Sequence, residues 1–502
     1  MTGNRWLIPA IVALGCLLRM FLFTGLAVGD DVFYQLQAIA HALDGTWPPE
    51  PYHWQTRLAI TLPTAAVIRL AGLHHWTMIV LPLAASTAGI YVTYRIASDF
   101  VDQRAALIAT LLHAVYPLEL IYATHLFPDV PVGLLQTLSL WFWIRGLRHD
   151  RPADYALAGL CFGLGYLCRE TIIMSGPAYI ALWVLFGRWR RPAMSVSALV
   201  TVSIVAAEVL LYWATTGNPQ YRLDAMAAQQ QSPENLALIR QSVSGGGFWT
   251  DPLLMLLTNQ EFGLFQLALI AVVVPVWRRC PHLRPLVVWW AASFLWISYG
   301  TTVPTDYVTL QRDPRYTSVL TAPTVIVLGQ MTALLSWRPR VAAVAGLALS
   351  GIAGAMLDQG PTLIEPHRAA ARSRYAAEAV LEPIEYYGAR WHSGLDRPAP
   401  FRCAIDLGRD SVVRLLAHLP ATACATSAEV RYVILSTERR PGLPPQLKAA
   451  GWKEVANFTA PASAGRRLIA WMLGPFPGQR ERAARISSTP SLRVYENPAR
   501  RD

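Results

Sequence analysis

The chain has 502 residues, of which 53% are hydrophobic and only 15% are charged, and its mean hydropathy is +0.31. These values exclude an ordinary soluble domain of this length and indicate a membrane protein. The formal net charge of +11 comes mostly from arginine. In a membrane protein this charge indicates orientation and contact with anionic lipid rather than nucleic-acid binding, and no nucleic-acid module is recognisable.

Apolar runs long enough to cross a ~30 Å hydrocarbon core recur along the chain. The predicted spans are residues 6–28, 76–96, 104–122, 130–146, 153–169, 171–187, 192–213, 259–277, 285–301, 316–336 and 341–357. The first run lacks a small-residue cleavage site, so we interpret it as a retained helix. The sequence therefore predicts an α-helical polytopic membrane protein with about eleven transmembrane helices.

Arginines in the short connections predict the sidedness of these spans, because cytoplasmic loops collect Lys and Arg. The clusters are Arg5; Arg95 and Arg104; Arg145, Arg148 and Arg151; Arg188, Arg190 and Arg191; Arg278, Arg279 and Arg284; Arg338 and Arg340. If all face the cytoplasm, each gap between clusters must hold an even number of crossings. This condition makes residues 57–72 a juxtamembrane or re-entrant helix and places the amino terminus in the cytoplasm.

The topology predicts two domains. Residues 1–357 form the transmembrane domain, within which residues 29–75 form a first external loop with juxtamembrane helices. Residues 358–502 form an external, periplasmic domain. Strand-like runs at 430–435 and 468–472, with Pro-rich turns, predict a small α/β or α+β fold for it.

Cys403 and Cys424 are the only cysteines of the external domain. In an oxidising compartment they are candidates for a disulfide, although the sequence alone leaves their separation open.

Several ionisable residues lie within or at the ends of predicted spans, where charge is costly and often marks function. They are Arg19, Glu119, Arg169, Glu170, Glu208 and Glu261. Most fall toward the outer side, which favours a water-accessible cavity open to the outside. The alternative is that they are structural charges paired near helix ends.

The first external loop opens with Asp30 and Asp31. Apolar residues then recur at helical spacing, with Tyr34 on another face, which predicts a helix lying in the membrane interface. One carboxylate can cap this helix, and the cap leaves the second unexplained.

Two later loops add polar groups on the predicted external side. Residues 125–131 carry His125 and Asp129, for which a proline turn with a capping acid is the alternative. Residues 311–316 carry Arg312 and Arg315, which suit bidentate contact with a phosphate. Interfacial anchoring or an Arg–Asp surface pair is the alternative there.

Four stretches in order, "GDDVFY", "DFVDQRAALIATLLHAVYPLELIYATHLFPDVP", "GLCFGLGYLCRET" and "RDPRYTSVLTAP", resemble integral-membrane glycosyltransferases of the GT-C fold. The resemblance is to the family 39 group, which includes protein mannosyltransferases, the lipid A aminoarabinose transferase and the RgtA-like sugar transferases. It covers roughly residues 6–357.

This resemblance implies roles for individual residues. The catalytic set is Asp30 as the base, Asp31 where the family has glutamate, and Asp129 as the acid that follows a proline. The residues expected to bind the donor phosphate are Arg315, Arg312, Arg169 and Tyr316. The substrate cavity is expected to include Tyr34, His125, Glu119 and Glu170.

The implied activity is an inverting transfer of a hexose or pentose from a polyprenyl-phosphate donor to a hydroxyl acceptor, on the outer face of the bacterial cytoplasmic membrane. The acceptor class stays open between a lipid, a cell-envelope glycan and a protein. The absence of nucleotide-sugar motifs fits a lipid-linked donor. A divalent metal, Mg or Mn, bridging Asp30, Asp31 or Asp129 also stays open, because some relatives use one and others do not.

Two other classes remain as alternatives. A transporter or lipid flippase predicts repeated halves and broken helices near the membrane midplane, and neither is recognisable. A non-catalytic paralogue that binds glycan through its external domain is the other.

Overall fold

The computed structural model describes residues 6–23, 31–49, 51–187, 193–230, 249–301, 313–358, 370, 372–375, 379–381, 402–404, 424–425, 431–436, 445–459, 467, 470–471 and 491–500. The chain forms two compact units. The first comprises Met1–Gly25, Phe33–Leu70 and Met78–Asp358, and the second comprises Leu26–Val32, Ala71–Thr77 and Gln359–Asp502.

The first unit is built from helices. They are α1 (Leu7–Phe21), α2 (Asp31–Ile39), α3 (Leu58–Ala71), α4 (His75–Phe100), α5 (Gln103–Ala114), α6 (Pro117–Tyr122), α7 (Asp129–His149), α8 (Pro152–Cys168), α9 (Gly176–Phe186), α10 (Met194–Thr216), α11 (Tyr221–Gln230), α12 (Asp251–Thr258), α13 (Phe265–Arg279), α14 (Arg284–Tyr299), α15 (Thr321–Ala333) and α16 (Trp337–Asp358). A π-helical turn follows α2 at Ala40–Asp44, and short 3-10 helices lie at Glu170–Ser175, Gln260–Phe262, Pro281–Leu283 and Pro314–Leu320.

The predicted helical membrane protein is confirmed, and each predicted span overlaps a helix or a pair of consecutive helices, although residues 24–28 of the first span and residue 192 lie outside the described part of the chain. Within the described residues, three helices are both long and apolar enough to cross a membrane: Trp76–Phe100, Met194–Thr216 and Trp337–Leu357. The full count of about eleven crossings stays a prediction.

The predicted helix of the first loop is present, and its polar side faces the protein. Gln35, Gln37 and His41 are buried, whereas Leu43 is 59% exposed. Arg69 on α3 fixes the end of this segment by donating to the carbonyl of His41 at 2.5 Å. Of the described residues on the predicted apolar side, however, Phe33 is buried as well, and Leu36, Ile39 and Ala40 are half-buried, so the interfacial position of this helix stays a prediction.

Small residues let the helices of the bundle approach closely, as in other membrane bundles. A Cβ atom placed on Gly159 of α8 would meet the backbone carbonyl of Ser197 on α10. A Cβ atom on Gly329 of α15 would lie 2.7 Å from the carbonyl oxygen of Ala105 on α5. These contacts hold α8 against α10 and α15 against α5.

The second unit contains a six-stranded sheet. Its strands are β1 (Ala379–Leu381), β2 (Arg402–Ala404), β3 (Cys424–Ala425), β4 (Tyr432–Ser436), β5 (Lys453–Thr459) and β6 (Ser491–Glu496), and a short helix α17 spans Pro445–Ala449. Their order in the sheet is β3-β2-β1-β4-β6-β5. Strands β3, β2, β1 and β4 run parallel, and β6 pairs antiparallel with β4 and β5.

The predicted strand at 430–435 corresponds to β4, but the predicted strand at 468–472 is wrong at residues 470 and 471, the two that the structure describes; residues 468, 469 and 472 lie outside the described residues. Ala470 and Trp471 are helical. A short apolar run does not distinguish strand from helix by periodicity, and this one contains the good helix formers Leu, Ala and Met.

Cys403 and Cys424 lie directly opposite each other on the neighbouring parallel strands β2 and β3. Adjacent strands are about 4.8 Å apart, within the Cα separation that a disulfide spans. The disulfide itself stays a prediction.

The close packing of α8 and α10 yields a stability prediction. Gly159→Ala should lower the thermal unfolding midpoint in detergent, because the new methyl group must push the Ser197 backbone away, at a cost of about 1–3 kcal/mol. The matched control is Gly346→Ala in α16, where a Cβ atom meets nothing within 4 Å. Equal midpoints for the two variants, measured by intrinsic fluorescence, would contradict this account of the packing.

Candidate active site

Asp129 and Arg169 form a buried ion pair within the first unit. Asp129 is the first residue of α7, and Arg169 follows the last residue of α8 in extended conformation. The Nη1 group of Arg169 donates to Oδ1 of Asp129. Ser318 donates to the backbone carbonyl of Asp129 at 3.1 Å. The pair therefore links the ends of two helices to the 3-10 segment that precedes α15.

Two arginines lie against the ring of Tyr316. The guanidinium carbon of Arg169 is 4.3 Å from the centre of this ring, and that of Arg315 is 5.4 Å away. Arg315 also lies 4.9 Å from the ring of Phe127 and is paired with Asp313 at 2.9 Å. The structure thus brings together the two loops at 125–131 and 311–316 that the sequence singled out.

His125 and Asp313 show that this loop region is poorly solvated. Burial, together with the positive charge of Arg315, lowers the pKa of His125 to about 4. Burial raises the pKa of Asp313 above its usual value, although the charge of Arg315 opposes the shift. Reduced solvation strengthens the attraction between these arginines and an anion.

A cavity of about 20 Å³ lies beside the ion pair. Its lining includes Asp129, Gln136, Thr171, Arg315, Tyr316 and Ser318. This volume holds about one water molecule. Oδ2 of Asp129 has no hydrogen-bond partner within the described part of the chain. A buried carboxylate oxygen left in this state is available to a ligand or a water molecule.

Arg57, Glu170, Arg222 and Glu208 form a second buried network next to the first. Glu170 accepts from Arg57 at 2.7 Å and lies 3.4 Å from Arg222, which pairs with Glu208 at 2.6 Å. Sequence reasoning identified Glu170 as a cavity residue but missed Arg57 and Arg222 as its partners. Arg57 precedes α3 and Arg222 lies in α11, both within segments predicted to be external, where a charged residue usually indicates a solvated surface.

Tyr34 joins this second network. Arg57 donates to the Tyr34 hydroxyl and to Glu170, so the two predicted cavity residues Tyr34 and Glu170 are connected through Arg57. His53 is close to the same charges. Burial and the positive charge of Arg57 lower the pKa of His53 well below its usual value.

Glu119 lies in a different cluster from Asp129. Ser86 donates to its Oε2 atom at 2.9 Å and accepts from Arg19 at 2.7 Å. Arg19 also donates to the carbonyl oxygen of Ala114 at 3.1 Å. This arrangement matches the alternative interpretation for these two residues, a pair of structural charges, and the cavity role of Glu119 stays a prediction.

The predicted catalytic carboxylates of the first loop are only partly described. Asp31 is the first residue of α2 and is buried; it falls in the stretch Leu26–Val32 of the second unit, whereas α2 from Phe33 onward belongs to the first. Asp30 and Arg312 lie outside the described residues. Within the described residues, no group of three His, Cys, Asp or Glu side chains could hold a metal ion. The bridging metal stays a prediction that depends on Asp30.

Comparison with known proteins supports this architecture. The sequence matches the family Dolichyl-phosphate-mannose-protein mannosyltransferase over residues 60–213. The structure is similar to that of ArnT from Cupriavidus metallidurans bound to undecaprenyl phosphate, with a TM-score of 0.63 and 14% identity over 91% of this chain and 97% of that one. It is also similar to the apo oligosaccharyltransferase from Archaeoglobus fulgidus, with a TM-score of 0.50 and 13% identity over 87% of this chain and 70% of that one. No curated protein matches the chain by sequence.

The fold is therefore that of the GT-C integral-membrane glycosyltransferases. The resemblance to the family 39 group that the sequence motifs indicated is confirmed, because the matching family and the structural neighbours agree with it.

The second network gives a prediction about stability. Arg222→Met should lower the unfolding midpoint strongly, because it leaves Glu208 and Glu170 with less compensating charge, and breaking a buried pair costs about 3–5 kcal/mol. Adding Glu208→Gln to Arg222→Met should restore part of the loss. If the double variant is no more stable than the single one, the buried charges are not coupled as described.

Proposed function

We propose that the protein is an inverting glycosyltransferase that moves a sugar from a polyprenyl-phosphate donor to a hydroxyl acceptor at the outer face of the bacterial cytoplasmic membrane. The observation that carries this proposal is the pair of arginines, Arg169 and Arg315, over the ring of Tyr316 beside Asp129. The GT-C fold supplies the context in which this cluster is interpreted.

Arg169 and Arg315 suit the donor phosphate. Their like charges repel, and an anion bound beside the Tyr316 ring would relieve that repulsion. The ring packs against both guanidiniums and limits their movement. Their N–H groups therefore point toward one fixed position, where a phosphate can bind. As the bond to the sugar breaks, the leaving phosphate gains charge, and fixed cations stabilise this charge most where water is scarce.

The reaction we propose is a direct displacement. The acceptor hydroxyl attacks the anomeric carbon, the bond from that carbon to the phosphate oxygen breaks, and the electron pair stays on the polyprenyl phosphate. Asp30 takes the hydroxyl proton as general base. Asp129 holds Arg169 in place, and Asp31 is a first-turn acid of α2 whose charge suits the helix dipole. One displacement inverts the anomeric centre.

A lipid-linked donor is supported by two observations. The sequence contains no recognisable nucleotide-sugar or P-loop motif. The structure of ArnT, which has a similar fold, was determined with undecaprenyl phosphate bound. The acceptor is a lipid, a cell-envelope glycan or a protein, and the transferred sugar is a hexose or a pentose.

The donor-phosphate site yields a prediction about binding. Arg315→Gln should weaken undecaprenyl phosphate binding to the purified protein by about tenfold or more, because a charge-assisted contact is lost, and Arg315→Lys should be intermediate. The control is Arg284→Gln, which removes another arginine that lies over an aromatic ring, 5.3 Å from Trp277. Equal affinities for the Arg315→Gln and Arg284→Gln variants would contradict the assignment.

The proposed general base yields a prediction about transfer. Asp30→Asn should abolish transfer, which can be followed by mass analysis of membrane lipids and envelope glycans in a complemented deletion strain, while undecaprenyl phosphate still binds. Full complementation by a well-expressed Asp30→Asn variant would exclude Asp30 as the base.

A further inference from the structure

A further cavity among the described residues lies far from the candidate active site. It has a volume of about 280 Å³ and is formed where α7 and α9 end and α14 begins. Its lining includes Ile144, Leu147, Arg148, Leu182, Phe186 and His282. Asp129 is at the opposite end of α7 from Arg148, about 28 Å away along the helix axis at 1.5 Å per residue. The cavity is therefore separate from the Asp129–Arg169 site.

The wall of this cavity suits an acyl chain. Its side chains are aliphatic or aromatic, and only Arg148 and His282 are polar. The volume is far larger than one water molecule needs, and water in such a space would find few hydrogen-bond partners. A hydrocarbon chain fills an apolar space of this kind without losing hydrogen bonds.

Arg148 gives the rim a positive charge that is not held in an ion pair of its own among the described residues. Its neighbour Arg145 is paired with Asp154 at 3.3 Å and Asp99 at 4.0 Å. Arg148 instead donates only weakly to the backbone carbonyl of Asp99, at 3.4 Å, and lies 4.1 Å from the ring centre of Phe100. Within the described residues it has no ion pair with a carboxylate.

The same end of the bundle is basic. Arg278 and Arg279 close α13, and Arg284 begins α14 next to the cavity. These arginines belong to the clusters that place this end on the cytoplasmic side, where anionic lipids attract basic groups. The apolar lining and the basic residues therefore favour the same kind of ligand, a lipid with a negatively charged headgroup.

We propose that this cavity binds an anionic phospholipid, with one acyl chain among Ile144, Leu147, Leu182 and Phe186 and the headgroup phosphate on Arg148 and His282. The occupied site would couple the ends of α7, α9 and α14 to the lipid composition of that leaflet. This inference does not depend on the proposed glycosyl transfer, since it concerns the opposite end of the bundle.

The test measures phosphatidylglycerol and phosphatidylcholine binding to the full-length protein by native mass spectrometry. The wild type should retain phosphatidylglycerol in preference to phosphatidylcholine, and Arg148→Gln should reduce that preference by about tenfold. Arg151→Gln is the matched control, because Arg151 is exposed at the same end but does not line the cavity. It should leave the preference unchanged.

Leu147→Phe tests the chain-binding half of the site, because the larger ring occupies the cavity without changing the charge. It should weaken phosphatidylglycerol binding several-fold. If Arg148→Gln and Arg151→Gln lose the same preference for phosphatidylglycerol, the preference arises from general surface charge, and the proposal is overturned. A second result would also overturn the proposal. If undecaprenyl phosphate displaces phosphatidylglycerol from the wild type but not from Arg148→Gln, the cavity binds the sugar donor rather than a phospholipid.

Discussion

Two adjacent residues of opposite charge, Arg169 and Glu170, connect two of the buried charge clusters of the first unit. A membrane bundle tolerates buried charge only where each group finds a partner. Arg169 turns toward Asp129, whereas Glu170 turns toward Arg57 and Arg222. The extended conformation of Arg169, between α8 and the following 3-10 helix, is what allows neighbouring side chains to reach different partners. The geometry of the candidate site therefore depends on charges that lie outside it.

This arrangement has a consequence for chemistry. Arg169 has a carboxylate on one side and the ring of Tyr316 on the other, so its orientation is fixed before a ligand arrives. A fixed cation stabilises a developing negative charge without having to reorganise during the reaction. Arg315 is less buried and completes the cluster from the other loop. Arg315 is in turn held by Asp313 and by the rings of Phe127 and Tyr316, so both arginines are oriented by neighbouring groups.

The sequence predicted those features that depend on local pattern. The apolar runs predicted the helices. The stretches around Asp129 and Arg315 predicted the two loops that the structure brings together. Arg57 and Arg222 were missed because their partner Glu170 is 113 and 52 positions away along the chain. No local signal distinguishes a loop arginine in solvent from one buried against a distant carboxylate. The error at 468–472 has a different origin, since a short apolar run fits either type of secondary structure.

The most direct test of the central claim is an electron cryo-microscopy structure of the full-length protein with undecaprenyl phosphate. The account predicts phosphate density beside Tyr316, within hydrogen-bond distance of Arg169 and Arg315, with Asp129 still holding Arg169. Phosphate density elsewhere in the bundle, with Arg315 still on Asp313 and the Tyr316 ring uncontacted, would contradict it.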